Sequence, residues 1–325
     1  MFEAQLWRVR SLLDRLEHSN LPGSFKSAGR LVRRLGRLVI FRVTPGLNLK
    51  LIKRNVIYPI RNFILRDKPL KFRIGGQSFA LAPKGAVPLE IWSGRWSERH
   101  ELDLVLSALQ PGMTFVDVGA NVGFFSIPAA KKIEAGTVLA FEPHRWTYER
   151  LVENARLNEV TNLQAFRSAL GDYEGEAVLH VNAAGKDGLN TMGRPTHPDS
   201  EVVGTEVVSV AALDDFLRRK SIYSVDVMKV DVEGAELFVF RGARQLLSGP
   251  DAPLIVYESS FLSKGFDYHP VEQMWLLEKY GYSLFVIDSN SGKVSSLKNR
   301  GAYGAMVIAV KPTHPQYKAI EGRAR

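Results

Sequence analysis

Cysteine is absent from this 325-residue chain, which removes disulfide staples, thiolate-bound zinc, iron–sulfur clusters and thiol nucleophiles, and agrees with a reducing compartment. Long apolar runs are missing too. The longest clean run, Ala305–Val310, falls far short of the roughly 18 residues that a membrane-spanning helix needs. Glu3, Arg8, Arg10, Asp14 and Arg15 interrupt any secretory signal, so the expected location is cytoplasmic. Neither an internal repeat nor a low-complexity tract is present. At 45% hydrophobic and 24% charged, with 27 Gly and 16 Pro, the composition excludes collagen-like, coiled-coil and wholly disordered chains.

What is present is unevenly placed charge. Of 43 Lys+Arg and 34 Asp+Glu, residues 1–73 hold 17 basic and four acidic side chains, a balance of +13; the remaining 26 basic and 30 acidic give −4. A basic arm therefore precedes a slightly acidic body. Residues 1–69 read as a helical extension punctuated by Leu21-Pro22-Gly23-Ser24 and Thr44-Pro45-Gly46. Arg30, Arg33, Arg34 and Arg37 share one helical face, opposite Leu31, Leu35, Leu38 and Val39. That pattern suits either a solvated face or peripheral contact of residues 1–66 with an anionic membrane surface. A nucleic-acid partner is disfavoured, since basic charge would then be needed around the cleft rather than in a separable arm.

Residues 70–325 read as a second domain. Short strands at Lys71–Ile74 and Ser78–Leu81 and a helix near Glu98–Leu109 lead into strand–helix alternation. Strands are expected at Thr114–Val118, Thr137–Phe141, Leu163–Phe166, Val225–Val230, Leu254–Glu258, Ser283–Ile287 and Ala305–Val310, with helices after most of the first five. Nearly continuous apolar strands of this kind imply a mainly parallel seven-stranded sheet covered on both faces. Hairpin pieces at Ala177–Val181 and Glu206–Val210 flank a loop, Ala183–Gly204, expected at the carboxyl edge of the sheet as a substrate region.

The densest chemistry lies in Phe115-Val116-Asp117-Val118-Gly119-Ala120-Asn121-Val122-Gly123-Phe124-Phe125-Ser126: an apolar strand, an acid, then a glycine-bearing turn that opens a helix. Just after the next strand comes Glu142, near the offset at which a carboxylate pairs with a ribose diol. Together these describe a nucleoside-cofactor site. Charge selects the cofactor: Asp117 at the strand end would repel a pyrophosphate, and the third glycine of a dinucleotide turn is missing. An acid there suits S-adenosylmethionine, whose amino-acid end carries an ammonium group, and disfavours a nicotinamide dehydrogenase.

With VDVGANVGFFS, AFEP, SALGD at Ser168–Asp172 and KVDVEGAE at Lys229–Glu236, the chain resembles the FkbM family of S-adenosylmethionine-dependent methyltransferases over about residues 90–260. The resemblance implies a Rossmann-like class I α/β fold, here with core motifs over 113–260 and an N-terminal helical extension. It also implies methyl transfer, usually to a hydroxyl oxygen of a sugar, polyketide or similar product, so a small-molecule or glycan acceptor is expected. It places cofactor contacts at Asp117, Gly119, Asn121, Gly123 and Glu142, with Ser168, Ala169 and Asp172 beside the adenine. Residues 1–70 have no counterpart in the shared motifs.

Asp231 and Glu233, two apart at a strand end, project to the same side. Glu233, with the longer reach, is the expected general base, and Asp231 orients the cofactor's amino-acid end or a metal. Capping of the following helix is the competing role for either. Glu258 ends the next strand, so a ring of carboxylates could take a proton or a divalent ion. His144, His197 and His269 lack metal-site spacing and read as surface residues. Trp92 and Trp96 read as packing, or as a lid over the cofactor. Asn190 and Thr191, in the insertion loop, are candidates to face the substrate, with nothing in the sequence to fix that. An N-methyltransferase and a non-catalytic basic-arm binding protein on the same fold remain the alternatives.

Overall fold

The computed structural model describes residues 70–74, 76–81, 98–183, 186–297 and 304–324. The expectations for the basic arm and for Trp92 and Trp96 lie outside them. Two strands, β1 (Leu70–Ile74) and β2 (Gln77–Leu81), pair antiparallel as a hairpin. Then follow α1 (Arg99–Ala108), β3 (Thr114–Val118), α2 (Ser126–Ile133), β4 (Thr137–Phe141), α3 (Arg145–Leu157), β5 (Leu163–Phe166) and β6 (Ala169–Gly171). The insertion adds β7 (Gly175–Asn182) and β8 (Val202–Ala212), and α4 (Leu213–Arg219) returns the chain to β9 (Val227–Val230). Helices α5 (Glu236–Gly242) and α6 (Arg244–Ser248) lead to β10 (Leu254–Ser259) and α7 (Val271–Lys279). The described chain closes with β11 (Ser283–Ile287), β12 (Val294–Ser296), β13 (Ala305–Val310) and α8 (Tyr317–Arg323).

The main sheet has the order β12-β11-β13-β10-β9-β3-β4-β5. Pairing is parallel from β10 through β5, and β13 is antiparallel to both its neighbours, so β11 runs with the parallel set. This is the class I α/β arrangement, with eight strands rather than the seven expected. The eighth, β12, is three residues long and pairs antiparallel to β11 after a tight turn in which Gly292 N–H donates to Asp288 O. A strand that short has no period to detect. The sheet interior is apolar because helices cover both faces: Val116, Leu139, Met228, Ile255 and Val307 are fully enclosed in one cluster.

Chain order reverses between β3 and β9, and such a switch opens a crevice at the carboxyl ends of the strands. Asn154 on α3 locks the turn after β3 in place: its Oδ1 accepts the Ala80 N–H of β2 at 2.8 Å, and its Nδ2 donates to Val122 O at 3.0 Å. Beside the main sheet, β6, β8 and β7 form a separate three-stranded sheet. The SALGD segment, expected beside the adenine, is in part a strand, because Ala169–Gly171 pairs with Val210–Ala212. No helix among the described residues is long and apolar enough to cross a membrane.

Candidate functional site

The crevice is built around one close approach. Gly119 adopts φ +77°, and a Cβ there would stand 1.9 Å from Asp231 O, so only glycine lets the β3 turn lie against the end of β9. Gly119 N–H and Ala120 N–H donate to Phe141 O on β4, and Asp231 N–H donates to Val118 O. Asn121, at φ 49°, takes the left-handed position open to asparagine, and its Oδ1 accepts the Val122 N–H at 2.8 Å. Gly123 (φ +96°) does not line the cleft. A Cβ there would meet Ile127 and Leu151 at 2.8 Å, so its role is packing of α2 and α3 under the turn.

Gly119, Asn121, Glu142, Ser168, Ala169, Asp231 and Glu233 all line one cleft with Phe124, Phe125 and Lys229. Besides Gly123, two more residues expected there are placed elsewhere. Asp117 is wholly buried behind the wall, where its Oδ2 accepts from Ser126 Oγ at 2.5 Å at the start of α2; Val118, its strand neighbour, faces the cleft instead. Burial raises the Asp117 carboxyl above its ordinary value, against the pull of Lys229. Asp172 is exposed one residue beyond β6, past the point where that strand touches the cleft. His144, expected at the surface, is buried with Nδ1 2.8 Å from Thr147 Oγ1.

Lys229 is the residue whose part the sequence does not disclose. It sits beside Asp117 in the β3–β9 register, and its Nζ lies 3.1 Å from Asp231 Oδ2 and 4.9 Å from the centre of the Phe125 ring. Burial pulls its pKa down, but Asp231 and Asp117 outweigh that and hold the ammonium charged. The readable signal is period two: Lys229 and Asp231 share one side of an extended segment.

Glu142 receives two backbone donors, Asn121 N–H on Oε2 at 3.0 Å and His144 N–H on Oε1 at 2.9 Å. A carboxylate has about four lone-pair sites, so both oxygens keep capacity toward the cleft. Burial nevertheless pushes its pKa up to about 7.

Glu233 stands at a strained turn, with φ 55° followed by Gly234 at φ 103°. Three contacts hold it. Glu236 Oε1 accepts the N–H groups of Val232 and Gly234, each at 3.2 Å, and Thr191 Oγ1 donates to Glu233 O at 3.0 Å. Burial, then Asp231, Glu258 and Glu236, raise the Glu233 carboxyl well above its ordinary value, against Lys229. Glu258 is likewise pushed up to about 8, chiefly by burial and then by Asp231. No group of three or more His, Asp or Glu side chains among the described residues is disposed to hold a metal ion.

These shifts make stability depend on pH. Glu142 and Glu236 both rise from 4.5 to about 7, burial being the first cause. Unfolded, they ionise near 4.5; folded, they keep their protons until about 7. Their contribution is therefore complete below the unfolded value and is lost as pH rises through the folded one. At roughly 1.4 kcal/mol per unit, each accounts for on the order of 3 kcal/mol. The thermal midpoint of the ligand-free protein is expected to fall steadily between about pH 5 and pH 8; a midpoint that rises over that window would contradict the burial of these two acids.

The methyltransferase FkbM domain family matches residues 117–284, more than half of the chain. Methyltransferase 1 of Beauveria bassiana (strain ARSEF 2860) is 33% identical over 141 residues, 39% of this chain and 57% of that protein. The 31-O-demethyl-FK506 methyltransferase FkbM of Streptomyces tacrolimicus is 30% identical over 177 residues, 47% of this chain and 66% of that protein. The hexuronic acid methyltransferase AglP of Haloferax volcanii is 28% identical over 160 residues, 49% of this chain and 62% of that protein. Each match thus spans less than two thirds of the relative's length. The matched region begins at Asp117 and runs through the β3 turn, Glu142, the insertion and the Asp231–Glu236 segment to β11, so it contains most of the cleft; the chain belongs to the FkbM methyltransferase domain family.

Proposed function

We propose that this protein transfers the methyl group of S-adenosylmethionine to a hydroxyl oxygen of a sugar, glycan or other small-molecule acceptor. The observation that carries the reading is the cleft itself: Glu142, Asp231 and Glu233 converge with a single lysine at the switch point of the sheet. Lys229 is already paired with Asp231, so this wall offers a pyrophosphate little positive charge.

The donor set fits the cofactor. Glu142 is placed to accept from the ribose hydroxyls, and the turn at Gly119–Asn121 lies beside it. Asp231 takes the part expected of Asp117, facing the ammonium end, while Ser168, Ala169 and Leu170 form the wall for the adenine. When bound, the cofactor supplies an electrophilic methyl group. The chain's own work is alignment, exclusion of water and disposal of a proton. As the acceptor oxygen gains the methyl it must lose its hydrogen, and Glu233, with its raised pKa, is a base strong enough to hold it. Alignment alone supplies about 7–11 kcal/mol of such a barrier.

Among the relatives, one name specifies a 31-O position and another a hexuronic acid, which supports oxygen as the acceptor atom here. The test is incubation with S-adenosylmethionine labelled in the methyl group and a panel of glycosides, uronic acids and polyhydroxylated metabolites, each matched with an amino analogue. Label recovered as an ether is expected. Label recovered only on the amino analogues would replace this reading with N-methylation.

A further inference from the structure

Thr191 reaches from the insertion between β7 and β8 to the turn that carries Glu233. Its Oγ1 lies 3.0 Å from Glu233 O and accepts the Gly193 N–H at 3.1 Å. A carbonyl oxygen only accepts, so the hydroxyl gives its hydrogen to Glu233 and a lone pair to Gly193. Both capacities are in use, and Thr191 is itself buried.

The donor is anchored on its own side. His180 N–H donates to Thr191 O at 2.8 Å and Thr191 N–H to His180 O at 3.3 Å, which bridges the segment to β7. Three residues on, Arg194 N–H donates to Gly265 O at 2.9 Å in the 3-10 turn Phe261–Phe266. Residues 191–194 are thus fixed at both ends where they meet Glu233.

The receiving side is the one that needs holding. Glu233 has φ 55° and Gly234 φ 103°, and a non-glycine residue keeps such a conformation only where its surroundings over-determine it. Glu236 Oε1 takes the N–H groups of Val232 and Gly234, while a Cβ on Gly234 would stand 2.6 Å from Leu262 O, so the turn is closed on that side. Those contacts leave the Glu233 carbonyl to Thr191. The direction of that carbonyl fixes the peptide plane after Glu233, and with it the path on which the side chain leaves the backbone.

We propose that Thr191 is a positioning residue for Glu233: its hydroxyl fixes the peptide plane between Glu233 and Gly234 and so aims the Glu233 carboxyl, which makes the insertion part of the apparatus that sets the base. The inference rests on the reading of Glu233 as the base that takes the acceptor's proton.

Three variants separate the hydroxyl from the rest of the side chain. Thr191→Val removes it at nearly constant volume, Thr191→Ala removes it with the side chain, and Thr191→Ser keeps it; either of the first two suffices should the other fold poorly. The Glu233 carboxyl is followed across pH by carbon NMR of protein labelled at glutamate Cδ, and is assigned by the signal lost in Glu233→Gln. Asp231, Glu258, Glu236 and Lys229 act on this carboxyl and are unchanged in every Thr191 variant. In wild type and Thr191→Ser it should titrate well above the ordinary glutamate range. In Thr191→Val and Thr191→Ala it should move toward that range, because a turn no longer held admits water to the carboxyl. Transfer of labelled methyl from S-adenosylmethionine to methyl glucoside and methyl glucuronide gives the second readout. Thr191→Val and Thr191→Ala should lower kcat about 10–100-fold, the cost of a small misplacement of a reacting group, and Thr191→Ser should restore it. Calorimetry should find the affinity for S-adenosylmethionine within about twofold of wild type in all three.

A Glu233 titration in Thr191→Val identical to that of wild type overturns the inference. So does a Thr191→Ser protein as altered as Thr191→Val, which would assign the effect to packing of the methyl group. Should neither glycoside be methylated, the titration alone decides. Absence of S-adenosylmethionine binding in wild type would defeat the methyltransferase reading itself, whereas intact binding with an unmoved titration defeats this inference alone.

Discussion

Glu233→Gln is expected to bind S-adenosylmethionine with nearly unchanged affinity and to turn over about 10²–10⁴-fold more slowly, the usual cost of removing a general base. Glutamine keeps the size and the half-buried position but accepts no proton. The effect should fall on kcat, because in the proposed reading Glu233 takes the acceptor's proton and Glu142 meets the ribose. Wild-type kcat should rise with pH as Glu233 loses its proton, over a limb displaced upward from the ordinary glutamate range by burial and by Asp231, Glu258 and Glu236. In Glu233→Gln that limb should disappear. A variant that keeps wild-type turnover, or keeps the rising limb, would remove Glu233 as the base and direct attention to Glu258.

The second large effect is structural. Gly119→Ala should cost about 2–5 kcal/mol and abolish cofactor binding. Two penalties combine: a left-handed backbone costs an L-residue about 1–2 kcal/mol, and overlap in a packed site adds about 1–3 kcal/mol. The Asp231 carbonyl, 1.9 Å from the added Cβ, belongs to backbone that is itself fixed by Asp231 N–H to Val118 O. Relief therefore requires separating β3 from β9, the two strands that form the crevice. Denaturant unfolding of the variant measures the loss. A change below about 1 kcal/mol, within the range of ordinary surface substitutions, would show that the two strand ends are farther apart than described here.

How much of this was legible before the structure depends on the length of each signal. Thr114–Val118, Thr137–Phe141, Leu163–Phe166, Ser283–Ile287 and Ala305–Val310 are strands at the expected boundaries; Thr137–Phe141 and Ala305–Val310, enclosed along most of their length, leave a nearly unbroken apolar record, whereas Leu163–Phe166 carries the exposed Gln164 at the edge of the sheet. β12 and β6, three residues each, leave none. They exist because a tight turn and a neighbouring strand supply their partners, which is tertiary information. The site shows the same division. Gly119 and Glu142, which both line the cleft, can be found by spacing, since a tight turn after a strand needs glycine at a fixed place and Glu142 directly follows the next strand. Asp117 is equally conspicuous, yet it faces away from the cleft; which side of a strand end faces the ligand depends on the helix packed behind it, here through Ser126. Lys229 pairs with Asp231 by period two, but its place beside Asp117, like the contact of Thr191 with Glu233, joins distant chain segments, and one sequence carries no sign of which segments meet.

If the β3 turn and Glu142 form the proposed site for the nucleoside of S-adenosylmethionine, calorimetric titration with that cofactor should show saturable one-to-one binding to wild type. In Glu142→Ala the binding should weaken by about 1.5–3 kcal/mol, the worth of hydrogen bonds to a charged group. Binding that is equally tight in both proteins would contradict the proposed site.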